Sequence, residues 1–364
     1  MNTNFVKYSD SVEEIQPNEE QVFDEISRVM RDIVTKIGAR QRHVVRSVHA
    51  KSHGLLKAVM TVKSDLPSEL RQGLFSEPGK IYDVIMRFST NPGDILSDHI
   101  SSPRGLAIKI LGAEGEKTPN HQNETTQDFA MQNARAFEAK DAEAFLKNLK
   151  TLDKHADDSE TLKQVVSSTA RVAETALEAV GLKSATLRGF GHPATQPLGE
   201  TYHTLVAHRY GDYFGKIEIV PVSENLKELC GEKLPDVSRW DGLREEIQNF
   251  FADNEALWEV RVQLCTDLEK MPVEDGSVEW DEEASPFLTV AIIVAAPQES
   301  YSDERRVFVD EKLSFNPWHS LAAHRPLGNV MRSRLKSYEA IANYRRRAEG
   351  REMIEPKTID ELPD

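Results

Sequence analysis

The residues whose types and spacing could carry chemistry lie near the C-terminal end of the chain. A segment that begins after Pro326 and ends at Gly350 predicts a helix of about 20 residues, because proline favours helix starts and glycine favours helix ends. On that helix Arg334, Tyr338 and Arg345 fall within about 40° of one another, at roughly 100° per residue. One stripe of the helix therefore carries a phenol between two guanidiniums.

Such a stripe can present a phenolate to a ferric ion while the guanidiniums bind the acidic edge of a macrocycle that holds the ion. A free tyrosine has a pKa of about 10, so keeping Tyr338 ionised at pH 7 needs about 4 kcal/mol. Arg334, one turn earlier, lowers a neighbouring acid by roughly 1–3 pKa units, so coordination to iron must supply the rest. The alternative is a surface helix with scattered arginines.

Composition restricts the classes of protein that the chain can belong to. Its 364 residues are 39% hydrophobic and 29% charged, as in globular proteins, and the net charge of −15 disfavours nucleic-acid and anionic-membrane surfaces. Cys230 and Cys265 have no metal-site spacing and fit a reducing compartment. The N-terminal residues show no signal peptide, and no apolar run of about 18 residues is long enough to cross a membrane. These features predict a cytoplasmic enzyme or binding protein.

Hydrophobic periodicity predicts an α+β fold. Amphipathic patterns predict helices at 20–37, 134–149, 152–183, 243–251 and after Gly328. Alternating or β-branched runs predict strands at 44–48, 55–62, 81–90, 104–111, 129–131, 201–208, 213–220, 256–264 and 288–293. About eight strands with helical excursions favour a closed antiparallel β-barrel surrounded by helices, although periodicity alone also allows a sandwich.

Domain organisation follows from the absence of any break in composition. We expect a loose polar arm at 1–19, one domain at 20–350 that contains barrel and helices, and a tail at 351–364.

Three motifs in the same order resemble those of the haem catalases. They are RSVHAK at 46–51, RFST at 87–90 followed by SSPRGLAIK from 101, and RLKSY at 334–338. The resemblance runs from about residue 40 to 350 and is greatest to a short branch that lacks the flavodoxin-like C-terminal domain. It implies a haem b cofactor, a peroxide substrate, an organic reductant or lipid hydroperoxide as a further partner, and a homo-oligomer.

The resemblance also implies roles for the two faces of the haem. Tyr338 matches the proximal iron ligand, and Arg334 matches the residue that keeps it ionised. His49 matches the distal imidazole, which moves a proton between the two oxygens of a peroxide. Ser89 matches the hydroxyl that fixes the tautomer of that imidazole.

Further positions match residues around the rim of the haem. Arg46, Arg87 and Arg345 match the partners of the haem propionates, which as buried carboxylates need bidentate donors. Val48 occupies the position before the distal histidine, and Phe137 matches the aromatic residue beside the distal haem face. Since Arg46 lies three residues before the histidine, a regular strand would point the two side chains to opposite faces, so a bulge or sharp twist is required.

One departure concerns the asparagine that ordinary catalases carry beside the distal histidine. Thr125 stands in its place, with Asn123 two positions away as the alternative, and Ala130 replaces a bulky aromatic residue. Losing the amide removes a donor that holds peroxide, which favours larger peroxides or organic reductants over strict hydrogen peroxide dismutation.

Three functions are therefore compared. The first is a haem enzyme with catalase activity and peroxidase activity towards organic reductants. The second is a fatty-acid hydroperoxide isomerase or oxygenase; some rearranging enzymes of that kind carry threonine before the distal histidine, and Val48 is against that version. The third is a non-catalytic haem-binding protein, and the pairing of His49 with Ser89 argues against it.

Overall fold

The computed structural model of the protein describes residues 4–98, 100, 102–154, 195–234 and 239–364. Its strands are Ser52–Val62 (β1), Ile81–Thr90 (β2), Arg104–Ile110 (β3), Gln127–Gln132 (β4), Tyr202–His203 (β5), His208–Tyr210 (β6), Tyr213–Pro221 (β7), Ala256–Leu264 (β8) and Leu288–Ala295 (β9). Its helices are Glu19–Gln41 (α1), Ala142–Lys154 (α2), Glu224–Lys227 (α3), Gly242–Asp253 (α4), Asp303–Arg306 (α5) and Asn329–Glu349 (α6). A π-helical segment, Val307–Lys312, directly follows α5.

The strands form one antiparallel sheet that closes on itself. Their order is β5-β4-β3-β2-β1-β9-β8-β7-β6, and a further pairing of β5 with β7 completes the ring. Eight strands therefore enclose a barrel, and β6 extends β7 as a short hairpin. The predicted closed barrel is confirmed, and the sandwich is excluded because β5 bonds to both β4 and β7.

The barrel core follows from alternation along the strands. In β1 every second side chain is buried in the interior, as are the matching positions of the strands that pair with it, since side chains in a strand point alternately to opposite faces. The interior residues of β1 and β2 are Leu56, Ala58, Met60, Val62, Tyr82, Val84, Met86 and Phe88. Full burial of a valine, leucine, methionine or phenylalanine side chain contributes about 1.5–3 kcal/mol to the stability of the fold.

A second core positions the C-terminal helix against the barrel. The apolar face of α1, which includes Ile26, Met30 and Ile33, packs with Leu146 of α2 and Ile341 of α6. Gly350 ends α6 in a left-handed conformation with φ of 61°, which glycine adopts without steric cost. The helix that was predicted after Gly328 and before Gly350 is therefore present.

The N-terminal arm is packed from residue 4, where the structure begins to describe it, whereas the sequence predicted a loose segment. The backbone N–H of Val6 donates to the carbonyl of Cys265 at 2.8 Å. Glu13 and Glu19 form ion pairs with Arg332 of α6 at 2.8 and 2.6 Å. These charges attach the arm to the helix that carries Tyr338.

Several predicted elements differ from the observed ones. Residues 44–48 are not a strand, because the backbone there bonds to other groups, as when Val44 N–H donates to the Glu349 carboxylate at 2.6 Å. The helix predicted at 134–149 begins only at Ala142, after Asp141, whose side chain accepts from the N–H of Ala144 at 2.8 Å. The strand predicted at 201–208 is divided between β5 and β6.

The helix predicted at 152–183 lies outside the described residues beyond Lys154. Among the helices that the structure describes, none is long and apolar enough to cross a membrane.

Candidate active site

A cavity of about 360 Å³ lies between the barrel and α6. Its size is typical of sites for small molecules and cofactors. Eight of the residues predicted for the site line it, and they come from the segment before β1, from β2 and from α6: Arg46, Val48, His49, Arg87, Ser89, Arg334, Tyr338 and Arg345. The fold thus brings the imidazole of His49 and the phenol of Tyr338 to one cavity, although the two residues are 289 positions apart in the chain (338 − 49).

His49 reaches the cavity through an irregular backbone. Its φ of 53° lies in the left-handed region, which is rare for residues other than glycine. Its backbone N–H donates to the carbonyl of Asn91 at 2.7 Å, which holds this conformation. The pairing of β1 with β2 then shifts register between Ser52 and Gly54. The break that Arg46 and His49 required for both to face one space is therefore present, and both line the cavity.

Both ring nitrogens of His49 have protein partners. Nδ1 lies 3.1 Å from Oγ of Ser89, and Nε2 lies 3.1 Å from Nε2 of Gln132. Because the nitrogen of the glutamine amide can only donate, the ring accepts at Nε2 and carries its proton on Nδ1, which then donates to Ser89. Oγ of Ser89 in turn donates to the carbonyl of Gly105 at 3.4 Å. This chain of hydrogen bonds defines one neutral tautomer.

The electrostatic surroundings keep this imidazole neutral. Burial, followed by the nearby charges of Arg87, Arg334 and Arg46, lowers the pKa of His49 to about 3. A neutral imidazole can accept a proton, which is the first act required of a general base.

Gly105 leaves room for the imidazole. A Cβ atom added at this position would lie 2.4 Å from both Cε1 and Nδ1 of His49 and 2.9 Å from Oγ of Ser89. The ring therefore packs directly on the backbone of β3, and any side chain at position 105 would displace it.

On the other side of the site, Arg334 is held between two aromatic rings. Its Cζ lies 5.9 Å from the ring centroid of Tyr338 and 5.3 Å from that of Phe137. Phe137 is buried and is not among the described residues that line the cavity, and its place beside the distal face stays a prediction. Its ring supports Arg334, because a cation is attracted to an aromatic face.

Arg46, Arg87 and Arg345 converge on one residue, Asp310 of the π-helical segment. Arg46 Nη1 and Arg87 Nε donate to its Oδ1 at 2.8 and 2.7 Å, and Arg345 Nη1 donates to its backbone carbonyl at 2.5 Å. Burial alone would raise the pKa of Asp310, but Arg87, Arg46 and a hydrogen bond from Ser52 lower it to about 2.

This cluster provides a test of fit for the haem that the resemblance implies. Three guanidiniums and one carboxylate leave two positive charges, which match the two propionates of a haem b. The guanidiniums are under-neutralised: burial and then the charges of Arg87 and Arg345 lower the pKa of Arg46. Nε of Arg345 is buried without a hydrogen-bond partner among the described residues. The donor set therefore fits a dianionic edge.

The prediction for Thr125 needs correction. Thr125 was expected beside the imidazole, but its side chain is exposed and is not part of the described cavity wall. The amide beside His49 belongs to Gln132, at the end of β4. His53, four residues after His49, is buried, and its Nε2 lies 3.2 Å from Oγ1 of Thr90.

The fold is similar to that of solved catalase structures. A fungal catalase matches with a TM-score of 0.58 and 17% identity over 95% of this chain and 66% of that chain. Catalase A from Saccharomyces cerevisiae matches with 0.58 and 18% over 95% and 68%, and a bacterial catalase with 0.55 and 16% over 86% and 60%. The chain thus spans about two thirds of their length, and at these identities the likeness is one of fold. No curated protein matches the chain.

The barrel, the cavity and the ordered motifs agree with a match between this chain and a protein-family model over nearly the whole length of the chain. The family model for catalases covers residues 27–349. The chain therefore belongs to the catalase family.

Proposed function

We propose that the protein is a haem-dependent peroxide-decomposing enzyme in which Tyr338 ligates the iron of a haem b. The observation that carries this proposal is the single cavity that His49, Tyr338 and the arginine cluster share. Family and fold support peroxide chemistry with haem. The position of Tyr338 supports it as the iron ligand, and the arginine cluster supports the placement of the haem propionates beside it.

Each part of the cavity wall would hold one part of the cofactor. The phenol oxygen of Tyr338 would bind the metal, and Arg334 would favour the ionised form of that phenol. Arg46, Arg87 and Arg345 would pair with the propionates, with Asp310 keeping them in place before binding. When bound, a ferric haem supplies the electrons that cleave the O–O bond of a peroxide.

The chain itself supplies proton transfer. His49 accepts the proton of one peroxide oxygen at Nε2 and returns it to the other oxygen, which leaves as water or an alcohol. Ser89 holds the tautomer that makes this possible, because its Oγ accepts from Nδ1. Nε2 of His49 accepts from the Gln132 amide until the substrate binds. The same amide can then donate to the peroxide oxygen that takes its place at the imidazole.

The test is oxygen evolution by the purified, haem-loaded protein. Brisk oxygen release from hydrogen peroxide supports dismutation, and oxidation of an added phenolic reductant without oxygen supports a peroxidase. Consumption of a lipid hydroperoxide alone would replace this proposal by a hydroperoxide-transforming reaction. A haem spectrum with none of the three activities contradicts the enzymatic proposal.

Activity should depend weakly on pH between 8 and 5. A histidine with the ordinary pKa of about 6.5 would be only about 3% neutral at pH 5, and the rate would fall roughly 30-fold. Because the pKa of His49 is lowered to about 3, the neutral base persists through this range. Initial rates over pH 5–8, corrected for haem content, check this; a titration near pH 6.5 would contradict it.

Gly105→Ala should reduce turnover without removing haem. The added methyl occupies the position of the His49 ring, and a displacement of about 1 Å can cost about 100-fold in rate. Gly276→Ala is the control, since its Cβ would meet its nearest neighbour at 3.2 Å, away from the imidazole. Equal turnover in both variants and in the parent protein would contradict the packing argument.

Gln132→Leu should lower the rate of peroxide consumption by about 2- to 10-fold, which corresponds to one neutral hydrogen bond. Thr125→Ala should leave the rate unchanged, because that side chain is exposed. Steady-state rates of both variants decide between the two positions. A loss confined to Thr125→Ala would restore the assignment made from the sequence.

A further inference from the structure

Three metal-ligating side chains outside the proposed haem set lie on the wall of the same cavity: His121, Glu124 and His319. Each offers one ligand atom, and these atoms lie within 4.8 Å of one another. Imidazole nitrogens and a carboxylate oxygen are the donors that bind Zn²⁺ and related divalent ions. Movements of about 1 Å would bring them to coordination distance.

Two connected loops hold these side chains. The N–H of His121 donates to the carbonyl of Thr118 at 3.2 Å, and the N–H of Glu124 donates to that of His121 at 3.0 Å. Oγ1 of Thr118 also donates to the carbonyl of Trp318, the residue before His319. The loop before β4 and the loop before α6 are thus joined beside the cluster, so the ligands are positioned before any ion binds.

The histidines are buried with unused nitrogens. His121 is 5% exposed and His319 is 4% exposed. Nε2 of His121 and Nδ1 of His319 have no hydrogen-bond partner within the part of the chain that the structure describes. A buried polar atom without a partner destabilises a fold, and where several such ligand atoms lie together a bound metal ion can satisfy them.

The surroundings of both rings fit coordination. Oε1 of Glu339 lies 3.4 Å from Nε2 of His121. Two ligands on a tetrahedral ion with bonds of about 2.1 Å are separated by roughly the same distance. Nδ1 of His319 lies 3.7 Å from Oδ2 of Asp128 and 3.7 Å from Oε2 of Glu355. At these distances neither carboxylate is a hydrogen-bond partner of the ring, so Nδ1 of His319 is left for the metal.

We propose that His121, Glu124, His319 and Glu339 bind one divalent transition-metal ion of the Zn²⁺ class. The ion connects the two loops to α6 through Glu339, the residue that follows Tyr338. None of the four residues belongs to the proposed haem set, so this site goes beyond the proposed function and does not depend on it.

The experiment uses the full-length protein with its cofactor, treated with EDTA and dialysed against Zn²⁺. We expect one Zn²⁺ per chain by mass spectrometry, and X-ray absorption should show nitrogen and oxygen ligands at about 2.0–2.1 Å. The melting temperature should rise with Zn²⁺ concentration, because an ion that binds only the folded state stabilises it. Absence of saturable binding would overturn the proposal.

Variants locate the ion. His121→Ala and His319→Ala should each weaken Zn²⁺ binding by about tenfold or more. Glu124→Gln keeps the shape of a half-buried side chain while removing its charge, so it decides the question if the histidine variants do not fold. The control is His208→Ala, since His208 is 2% exposed and its Nε2 also lacks a partner among the described residues. Unchanged affinity in Glu124→Gln would overturn the site, and haem content measured in parallel separates this result from the haem proposal.

Discussion

Tyr338→Phe is expected to lose most of the bound haem, or the spectrum that phenolate ligation produces. The substitution removes one oxygen and keeps the ring whose centroid lies 5.9 Å from Cζ of Arg334. Residues that only support a metal ligand are worth roughly 10–100-fold in metal affinity, so loss of the ligand itself should cost more. The measurement is haem per chain, together with the Soret and charge-transfer bands after reconstitution.

Tyr344→Phe is the matched control for this experiment. Tyr344 lies on the same helix, and its hydroxyl is 2.8 Å from Oγ1 of Thr35, on α1. Its loss should leave haem content and spectrum unchanged while removing the same atom. Full haem content with an unaltered spectrum in Tyr338→Phe would eliminate the tyrosine as the ligand.

His49→Ala is expected to retain haem but to cleave peroxide about 10²–10⁴-fold more slowly, which is the usual contribution of a positioned acid–base group. The imidazole is not a proposed metal ligand, and the arginine cluster that would hold the propionates is unaltered. The measurement is the rate constant of the first reaction with peroxide, by stopped flow on haem-loaded protein, so that the second half-reaction does not limit it.

His53→Ala tests whether any buried histidine of this segment has the same effect. His53 is 1% exposed, hydrogen-bonds Thr90, and is not among the described residues of the cavity wall. Its variant should react at nearly the parent rate once corrected for folded protein. A His49→Ala variant that reacts as fast as the parent protein would exclude the acid–base role.

Local patterns predicted the elements well where a single face decides the structure. The strands 81–90 and 256–264 were predicted with the bounds that β2 and β8 have, because alternating side chains and flanking turn residues are visible in short windows. The helix that carries Tyr338 was predicted for a similar reason, since its end is set by Gly350.

Patterns misled where the backbone finds partners far away in the chain. Residues 44–48 have the composition of a strand, yet Val44 bonds to Glu349, 305 positions later. The polar composition of the N-terminal arm suggested a loose segment, yet the ion pair between Glu13 and Arg332 spans 319 positions. Composition contains no information about such pairs.

By itself, the sequence identified the family, favoured a closed barrel over a sandwich and named eight residues of the cavity wall, because motif order, side-chain alternation and a helix-ending glycine are local properties. Only the tertiary structure decided the polar partners. Gln132 reaches His49 across 83 positions, and Asp310 reaches Arg46 across 264. The physical reason is that a buried polar atom must be satisfied by whichever group the fold brings near it, and that proximity is set by strand register and helix packing.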